Sequence, residues 1–350
     1  MKVVGSISYT KKKEIGVGQG AHSKVYLAED SQLSGEVAAK AIEKSHFPNP
    51  ATYFEEAQMM FAVAHDNVVA VQYACETPTT ISLVMPYYKN GSLKDRIKDR
   101  PLQLSEVQRV AQGILAGLAH IHLRGYIHFD VKPSNVLFSD MDKPLVADFG
   151  QSREISMTGV VTVPGLYKNA QPPETINTGT ATLLADIYHV GLLIYRALNG
   201  NPFYESQLPA HPVLLRTQIS KGKCPDRKRF MPHVPSRLRT LVRKALRVNP
   251  AERFQTATEM ADALSRVSVE LDWAVEPILL GGFRWRASRL GHCDLIVELI
   301  ERSGSWDVEI FTQQPSEVGR RKCKKANWKN ALSLDDAYSH LEDVFETLLE

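Results

Sequence analysis

With 350 residues, 43% of them hydrophobic and 23% charged, and a formal net charge of +3, the chain has the composition of a folded globular protein, not of a disordered or fibrous one. So small a net charge does not point to nucleic acid as a general partner. Cys75, Cys224, Cys293 and Cys323 are scattered without the close pairs of a metal site or disulfide framework, and the chain shows neither a run of roughly 20 apolar residues nor an apolar signal core, so the expected location is cytoplasmic.

Short strands come first. Lys13 to Val17, Ser23 to Glu29 and Glu36 to Glu43 read as strands, a helix follows from about Tyr53 to Ala64, and Val68 to Cys75 and Ile81 to Pro86 read as two more strands. After Asn90-Gly91 the period changes. Val107, Val110, Ala111, Ile114, Leu118 and Ile121 recur at helical spacing behind Ser105, which reads as an N-cap with Gln108 closing a capping box. All four tryptophans, Trp273, Trp285, Trp306 and Trp328, fall after Val267, which places a boundary near Val267 to Asp272. Beyond it, Phe283 to Arg289, Asp294 to Glu301 and Trp306 to Thr312, with a turn at Gly304, suggest an antiparallel sheet whose core Trp273, Trp285 and Trp306 fill. Ser333 and Asp336 then open an amphipathic helix carrying Leu334, Tyr338, Leu341, Phe345 and Leu348 on one face.

Several segments carry chemistry. Gly18-Gln-Gly20-Ala-His-Ser23-Lys-Val25 lies between two predicted strands, where small residues let backbone N–H groups approach a triphosphate; a plain hairpin turn reads equally well from this segment alone. Val37-Ala-Ala-Lys40 sets a lysine inside a predicted strand, where its charge needs a partner, and Glu56 or the adjacent Glu55 can supply one. The most informative run is His128-Phe-Asp130-Val-Lys132-Pro-Ser-Asn135, followed by Asp148-Phe-Gly150. A hydroxyl attacking a γ-phosphate must be oriented and relieved of its proton, which suits the Asp130 carboxylate. Magnesium takes hard oxygen ligands such as Asp148 and the Asn135 amide oxygen, while Lys132 can neutralise charge on the moving phosphoryl group.

In content and order these motifs resemble the eukaryotic-like Ser/Thr protein kinase family, over roughly Tyr9 to Val267. The resemblance implies an α+β, two-lobed protein-kinase-like fold with a small β-rich N-lobe (about 9–86) and a helical C-lobe (about 91–267), followed by a small α+β accessory domain (273–350) of no recognised family. It further implies ATP and Mg2+ as cofactors, with Mn2+ as an alternative ion. Nucleotide binding would fall to Gly18, Gly20, Ser23, Val25, Lys40, Met85 at the gatekeeper and Tyr88 in the Pro86-Tyr87-Tyr88 hinge. Asp130, Lys132, Lys40 and Glu56 would serve catalysis, and Asn135 and Asp148 the metal. Pro172-Pro173-Glu174 stands for the usual Ala-Pro-Glu, Asp186-Ile-Tyr-His-Val-Gly191 resembles the helix that anchors the catalytic loop, and Arg253 is placed to pair with Glu174. Lys132 followed by Pro133 resembles the Ser/Thr-directed pattern, so protein substrates with Ser or Thr acceptors are the expected partners. The competing readings are a pseudokinase or signalling scaffold acting through the terminal domain, and a small-molecule phosphotransferase. The complete set of Lys40, Asp130, Asn135 and Asp148 opposes the first; Pro173-Glu174 and Arg253 oppose the second.

The lysine- and arginine-rich span Arg216 to Arg247 offers charge for acidic segments or nucleic acid but, with few aromatics among it, reads better as a solvated helical surface; the run Arg320-Arg-Lys322-Cys-Lys324-Lys325 reads equally as a polyanion contact or a charged loop, and His65, His120 and His122 show no metal-ligand spacing. Ser152, Ser156, Thr158 and Thr162 are candidate autophosphorylation sites in the loop from Gln151 to Ala170. An independent terminal domain would allow truncation near Val267 to leave ATP binding intact. Phe129 stands where the family has the arginine that binds a phosphorylated loop, which removes that guanidinium. The loop is therefore expected to need no phosphate: phosphatase treatment should leave activity unchanged, and a loss reversed by rephosphorylation would contradict this.

Overall fold

The computed structural model describes residues 7–16, 23–163, 171–279, 281–288, 293–314, 319–323 and 326–349. Two units emerge, Met1–Asp95 with Gly113–Val161, and Arg96–Gln112 with Thr162–Glu350. The expected α+β class holds: a sheet-rich first part, a helical second part and a β-rich terminal region closed by a helix.

In the first unit, β1 (Tyr9–Ile15), β2 (Ser23–Asp30), β3 (Gly35–Glu43), β4 (Tyr73–Glu76) and β5 (Thr80–Pro86) form an antiparallel sheet in the order β1-β2-β3-β5-β4. Strand β3 is central, and Val37, Ala38, Ala39, Lys40 and Ala41 are all buried, as expected of a strand covered on both faces. Helix α1 (Glu55–Ala62) lies between β3 and β4 in sequence, shorter than the predicted Tyr53 to Ala64. Only the end of the predicted strand Val68 to Cys75 joins this sheet. Its start pairs elsewhere: Val69 N–H donates to Val146 O (2.9 Å), and Val146 N–H donates to Asn67 O (2.8 Å). A β-prone sequence declares that it will pair, not with which strand.

The chain continues through α2 (Leu93–Arg96), α3 (Leu104–Leu123), β6 (Tyr126–Ile127), β7 (Val136–Phe138), β8 (Pro144–Val146) and β9 (Arg153–Glu154), with β6 paired to β9 and β7 to β8. Gly113 and Gly117 stand one turn apart on α3. A Cβ at the first would lie 2.5 Å from Pro144 Cγ, and at the second 2.8 Å from Asn67 O, so the missing side chains let the helix seat directly on these segments. Asn67 Nδ2 donates to Pro144 O at 2.9 Å and fixes the same junction.

The second unit contains β10 (Val161–Thr162, at its edge), α4 (Pro173–Thr178), β11 (Thr180–Ala181), α5 (Leu184–Asn199), α6 (Asn201–Glu205), α7 (Pro212–Ser220), α8 (Ser236–Ala245) and α9 (Ala257–Ser265). Helix α5 is buried almost throughout, and Gly191 brings it against α8, where an added Cβ would sit 2.7 Å from that of Ala245. Buried Arg253 forms a bidentate pair with Glu174 (2.8 and 2.6 Å) beneath Tyr188, as the sequence suggested. Helix α3 begins at Leu104, and Ser105 does not close a capping box with Gln108. Ser105 N–H instead donates to Asp272 Oδ1 (3.0 Å), and the Gln108 amide donates to Val267 O (2.6 Å).

After α9 come β12 (Ala274–Pro277), β13 (Gly282–Ala287), β14 (Asp294–Arg302), β15 (Ser305–Gln313), β16 (Arg320–Lys322), β17 (Lys329–Leu332) and α10 (Leu334–Leu349). The strands form one antiparallel sheet in the order β12-β13-β14-β15-β16, with β17 also on β15. Register aligns Val275, Trp285, Val297 and Ile310 across four strands, all buried. Ser333 caps α10 through Asp336 N–H (3.2 Å), and Leu341, Phe345 and Leu348 are buried on its inner face; Leu334, assigned to that face from sequence, is exposed. Trp273 and Trp285 are core residues as expected, whereas Trp306 and Trp328 are half-buried.

Gly282 has φ +104°, and a Cβ there would fall 1.9 Å from Leu299 O. Gly282→Ala should therefore destabilise the terminal region by at least about 2 kcal/mol, because strain and a backbone clash coincide. Urea denaturation followed by tryptophan fluorescence measures this.

Candidate active site

Lys40 is 8% exposed in the middle of β3, with Val25 opposite it on β2 and Leu83 opposite on β5. A buried ammonium surrounded by alanine and valine cannot persist unpaired. Its Nζ lies 2.7 Å from Glu56 Oε1 and 2.8 Å from Asp148 Oδ1. Helix α1 turns Glu56 inward and leaves the neighbouring Glu55 exposed, which resolves the choice the sequence left open. Burial alone would strip the proton from Lys40; the two carboxylates reverse that and hold it protonated beyond the ordinary lysine range. Burial likewise pushes Asp148 up, but Lys40 more than offsets it and brings the carboxyl down to about 2. Both groups are thus charged at neutral pH. The stabilisation linked to Asp148 is fully present above the ordinary carboxylate value and is lost as pH falls toward 2.

Asp148 follows β8 with φ +65°, a left-handed conformation that costs a non-glycine residue on the order of 1–3 kcal/mol. Buried Phe149 supports it, packing edge-on against the His128 ring with centroids 4.9 Å apart. At Gly150 a Cβ would reach within 3.4 Å of Asp148 Oδ1 and 3.5 Å of Lys40 Nζ, so its lack of a side chain leaves these charges uncovered.

The second cluster lies between β6 and β7. Asp130 Oδ2 accepts from Lys132 Nζ (2.8 Å) and Asn135 Nδ2 (3.1 Å), and that same amide nitrogen donates to Asp130 O (2.9 Å). Fully buried His128 organises the turn. Its Nδ1 accepts from Asp130 N–H (3.2 Å), so Nε2 carries the proton and donates to Ala147 O (3.1 Å). Ala147 N–H donates to Asn135 O (2.9 Å), tying this loop to the residue immediately before Asp148. Phe129, at φ +63°, is the second left-handed non-glycine residue here. His128 was visible as part of a motif, but its positioning role was not, because its partners are Ala147 and Phe149.

The remaining expected residues are placed as follows. Ser23 and Val25 open β2, while Gly18 and Gly20 lie outside the described residues. Met85 pairs with Ala38 at the end of β5, and Tyr88 follows half-buried, its phenol pushed up by burial. Of the loop hydroxyls, Ser152 is only 2% exposed and donates to His128 O (3.2 Å), so it is a structural group and not an accessible acceptor. Ser156, Thr158 and Thr162 are exposed; Tyr167 and its neighbours 164–170 fall outside the described residues.

Within 216–247 the basic residues divide: Lys221, Lys223, Lys228 and Arg237 are exposed, as a solvated surface requires, while others are engaged. Arg227 donates to Leu246 O and Gly222 O, Arg243 to Arg227 O, and Lys244 pairs with Glu259. In the terminal sheet Arg320 pairs with buried Glu298 (2.8 Å), and Lys322 lies over the Trp328 ring; Lys324 and Lys325 lie outside the described residues.

The same span of the chain is similar to known proteins. A family profile described as "Protein kinase domain" matches residues 9–264. The chain is 29% identical over 251 residues to serine/threonine-protein kinase PrkC of Bacillus subtilis (strain 168), covering 70% of this chain and 38% of that protein. It is 31% identical over 263 residues to serine/threonine-protein kinase PknB of Mycolicibacterium smegmatis (strain ATCC 700084 / mc(2)155), and 30% identical over 262 residues to PknB of Mycobacterium leprae (strain TN). Each of these two alignments covers 72% of this chain and 42% of the relative. The chain thus spans about two fifths of the length of these curated relatives. With the matched family spanning most of its length and both charged clusters in that span, the chain belongs to the protein kinase family.

Proposed function

We propose that this protein is an ATP-dependent Ser/Thr protein kinase, with 9–267 as its kinase domain and 273–350 as an accessory domain. The observation that carries the reading is the meeting of Lys40, Glu56 and Asp148 from three separate elements. A buried amine braced by two acids can neutralise a polyphosphate without leaving its own charge unpaired.

Asp130 is the group to orient the acceptor hydroxyl and take its proton, with Lys132 within hydrogen-bonding distance to offset charge on the transferred phosphoryl group. Asn135 and Asp148 supply an amide and a carboxylate oxygen, a hard donor set that suits Mg2+ or Mn2+. Among the described residues no cluster of three or more His, Cys, Asp or Glu forms a complete metal cage. Magnesium commonly binds through one or two carboxylates together with substrate phosphates, so the donor set fits. When bound, the ion would neutralise phosphate charge. Val25, Met85 and Tyr88 would flank the nucleotide, with Gly18, Gly20 and Ser23 over its phosphates.

Protein Ser/Thr hydroxyls are the proposed acceptors, including Ser156, Thr158 and Thr162 of the chain itself. The names of the relatives support this substrate class. Among the described residues no helix is long and apolar enough to cross a membrane. A reducing compartment such as the cytoplasm suits the four free cysteines.

Incubating the full chain with labelled ATP, Mg2+ and a generic protein acceptor should label serine and threonine. Asp130→Ala and Asp148→Ala should each lower the rate by at least about 100-fold; equal labelling by all three proteins would refute the reading. Glu56→Gln should cut kcat/KM for ATP by about tenfold or more, since it leaves Lys40 with one carboxylate, whereas Glu55→Gln should stay within about twofold. Equal effects at the two positions would place the wrong carboxylate at Lys40.

A further inference from the structure

We infer that the terminal α+β region, together with the segment from Val267 to Asp272 that leads into it, is not a tethered module but a brace that completes the helical lobe, capping α3 through Asp272 and covering the surface around His233. Two groups of contacts carry this, both within the second unit.

The first lies on α3. The opening N–H groups of a helix have no acceptor within it, and an end left without partners is destabilised. Ser105 supplies one such N–H, and its acceptor is Asp272, 167 residues later (3.0 Å); the Ser105 hydroxyl bonds the other oxygen of the same carboxylate. Gln108 and Gln112 donate to Val267 O (2.6 Å) and Ala261 O (2.8 Å), both still within 9–267, so Asp272 alone brings the cap from beyond that boundary. Positions 105, 108 and 112 share one face of the helix, so α3 holds a continuous line along the end of α9 and the segment leading to β12.

The second surrounds His233. Trp285 Nε1–H donates to His233 Nδ1 (3.1 Å), Phe345 packs on both rings (6.1 and 5.5 Å), and Trp273 closes on Phe345 at 5.0 Å. His233, Trp273, Trp285 and Phe345 are each 3% exposed or less. Burial, aided by nearby Arg239, pushes the imidazole down to about 3, which keeps it neutral and able to accept from the indole. At the rim Arg239 donates to Val234 O (2.7 Å) and Pro232 O (3.0 Å) while pairing with Glu342 of α10 at 2.5 Å. Two tryptophans and a histidine sealed from water form an interior, not a contact between modules that separate and rejoin. These contacts weigh against truncation near Val267 sparing the rest of the protein: it would remove the α3 cap and bare the His233 surface.

The test uses the full chain and does not depend on kinase activity. All four tryptophans lie in the terminal region, whereas most helical residues lie before it, so tryptophan fluorescence and circular dichroism at 222 nm report the two parts separately. Under a brace, thermal melts by the two probes coincide, and Asp272→Ala lowers both midpoints together by about 2–4 °C, with Asp272→Asn recovering part of the shift. Exchanging the rim pair, Arg239→Glu with Glu342→Arg, should recover part of the stability lost in the Arg239→Glu variant, the remainder being the bonds to Val234 O and Pro232 O that a carboxylate cannot donate. A fluorescence transition separate from the main dichroism transition, or an Asp272→Ala shift seen by fluorescence alone, would overturn the inference and restore an independent domain.

Discussion

The first unit depends on one buried positive charge. Lys40 sits in a strand covered on both faces, where an isolated ammonium would lose its proton or disrupt the fold. Its two neutralising carboxylates come from α1 and from the turn after β8, so the sheet, the helix and the Asp148 turn must be correctly placed together. Such an arrangement is weak evidence for net stability, because desolvation offsets much of the attraction. Its value lies in specification: few other packings would satisfy all three charges.

The supporting structure is built from close backbone approach. Gly113 and Gly117 seat α3 on Asn67 and Pro144, and the backbone bonds between Asn67, Val69 and Val146 join the end of the α1 segment to β8. Glu56 precedes that junction in sequence and Asp148 follows it. His128 performs a parallel task for the second cluster, reading Asp130 N–H with one ring nitrogen and Ala147 O with the other. The left-handed Phe129 and Asp148 show that local strain is tolerated where geometry matters, held by Phe149 and the bonds around it.

The second unit applies the same economy at larger separation. Helix α3 takes its N-terminal acceptor from Asp272, and the surface around His233 takes its cover from Trp285 and Phe345. Neither half of these contacts is complete alone. Of the basic span 216–247, Arg227, Arg243 and Lys244 are engaged with backbone carbonyls and Glu259, while Lys221, Lys223, Lys228 and Arg237 are exposed.

The sequence by itself determined the alternation of strands and helices, the α+β class, and the order of the Lys40, Asp130, Asn135 and Asp148 motifs, because periodicity and short spacing are local properties of a chain. It also marked the Ser333 cap of α10, whose partner is only three residues away. Tertiary structure alone decided that Glu56 and not Glu55 meets Lys40, that Ser105 binds Asp272 instead of Gln108, that Val69 pairs with Val146, and that Ser152 is buried beneath His128. The physical reason is common to all four. A side chain's hydrogen-bonding capacity is written in its chemistry, but which distant group satisfies it depends on burial and backbone approach, and these exist only once the chain has packed.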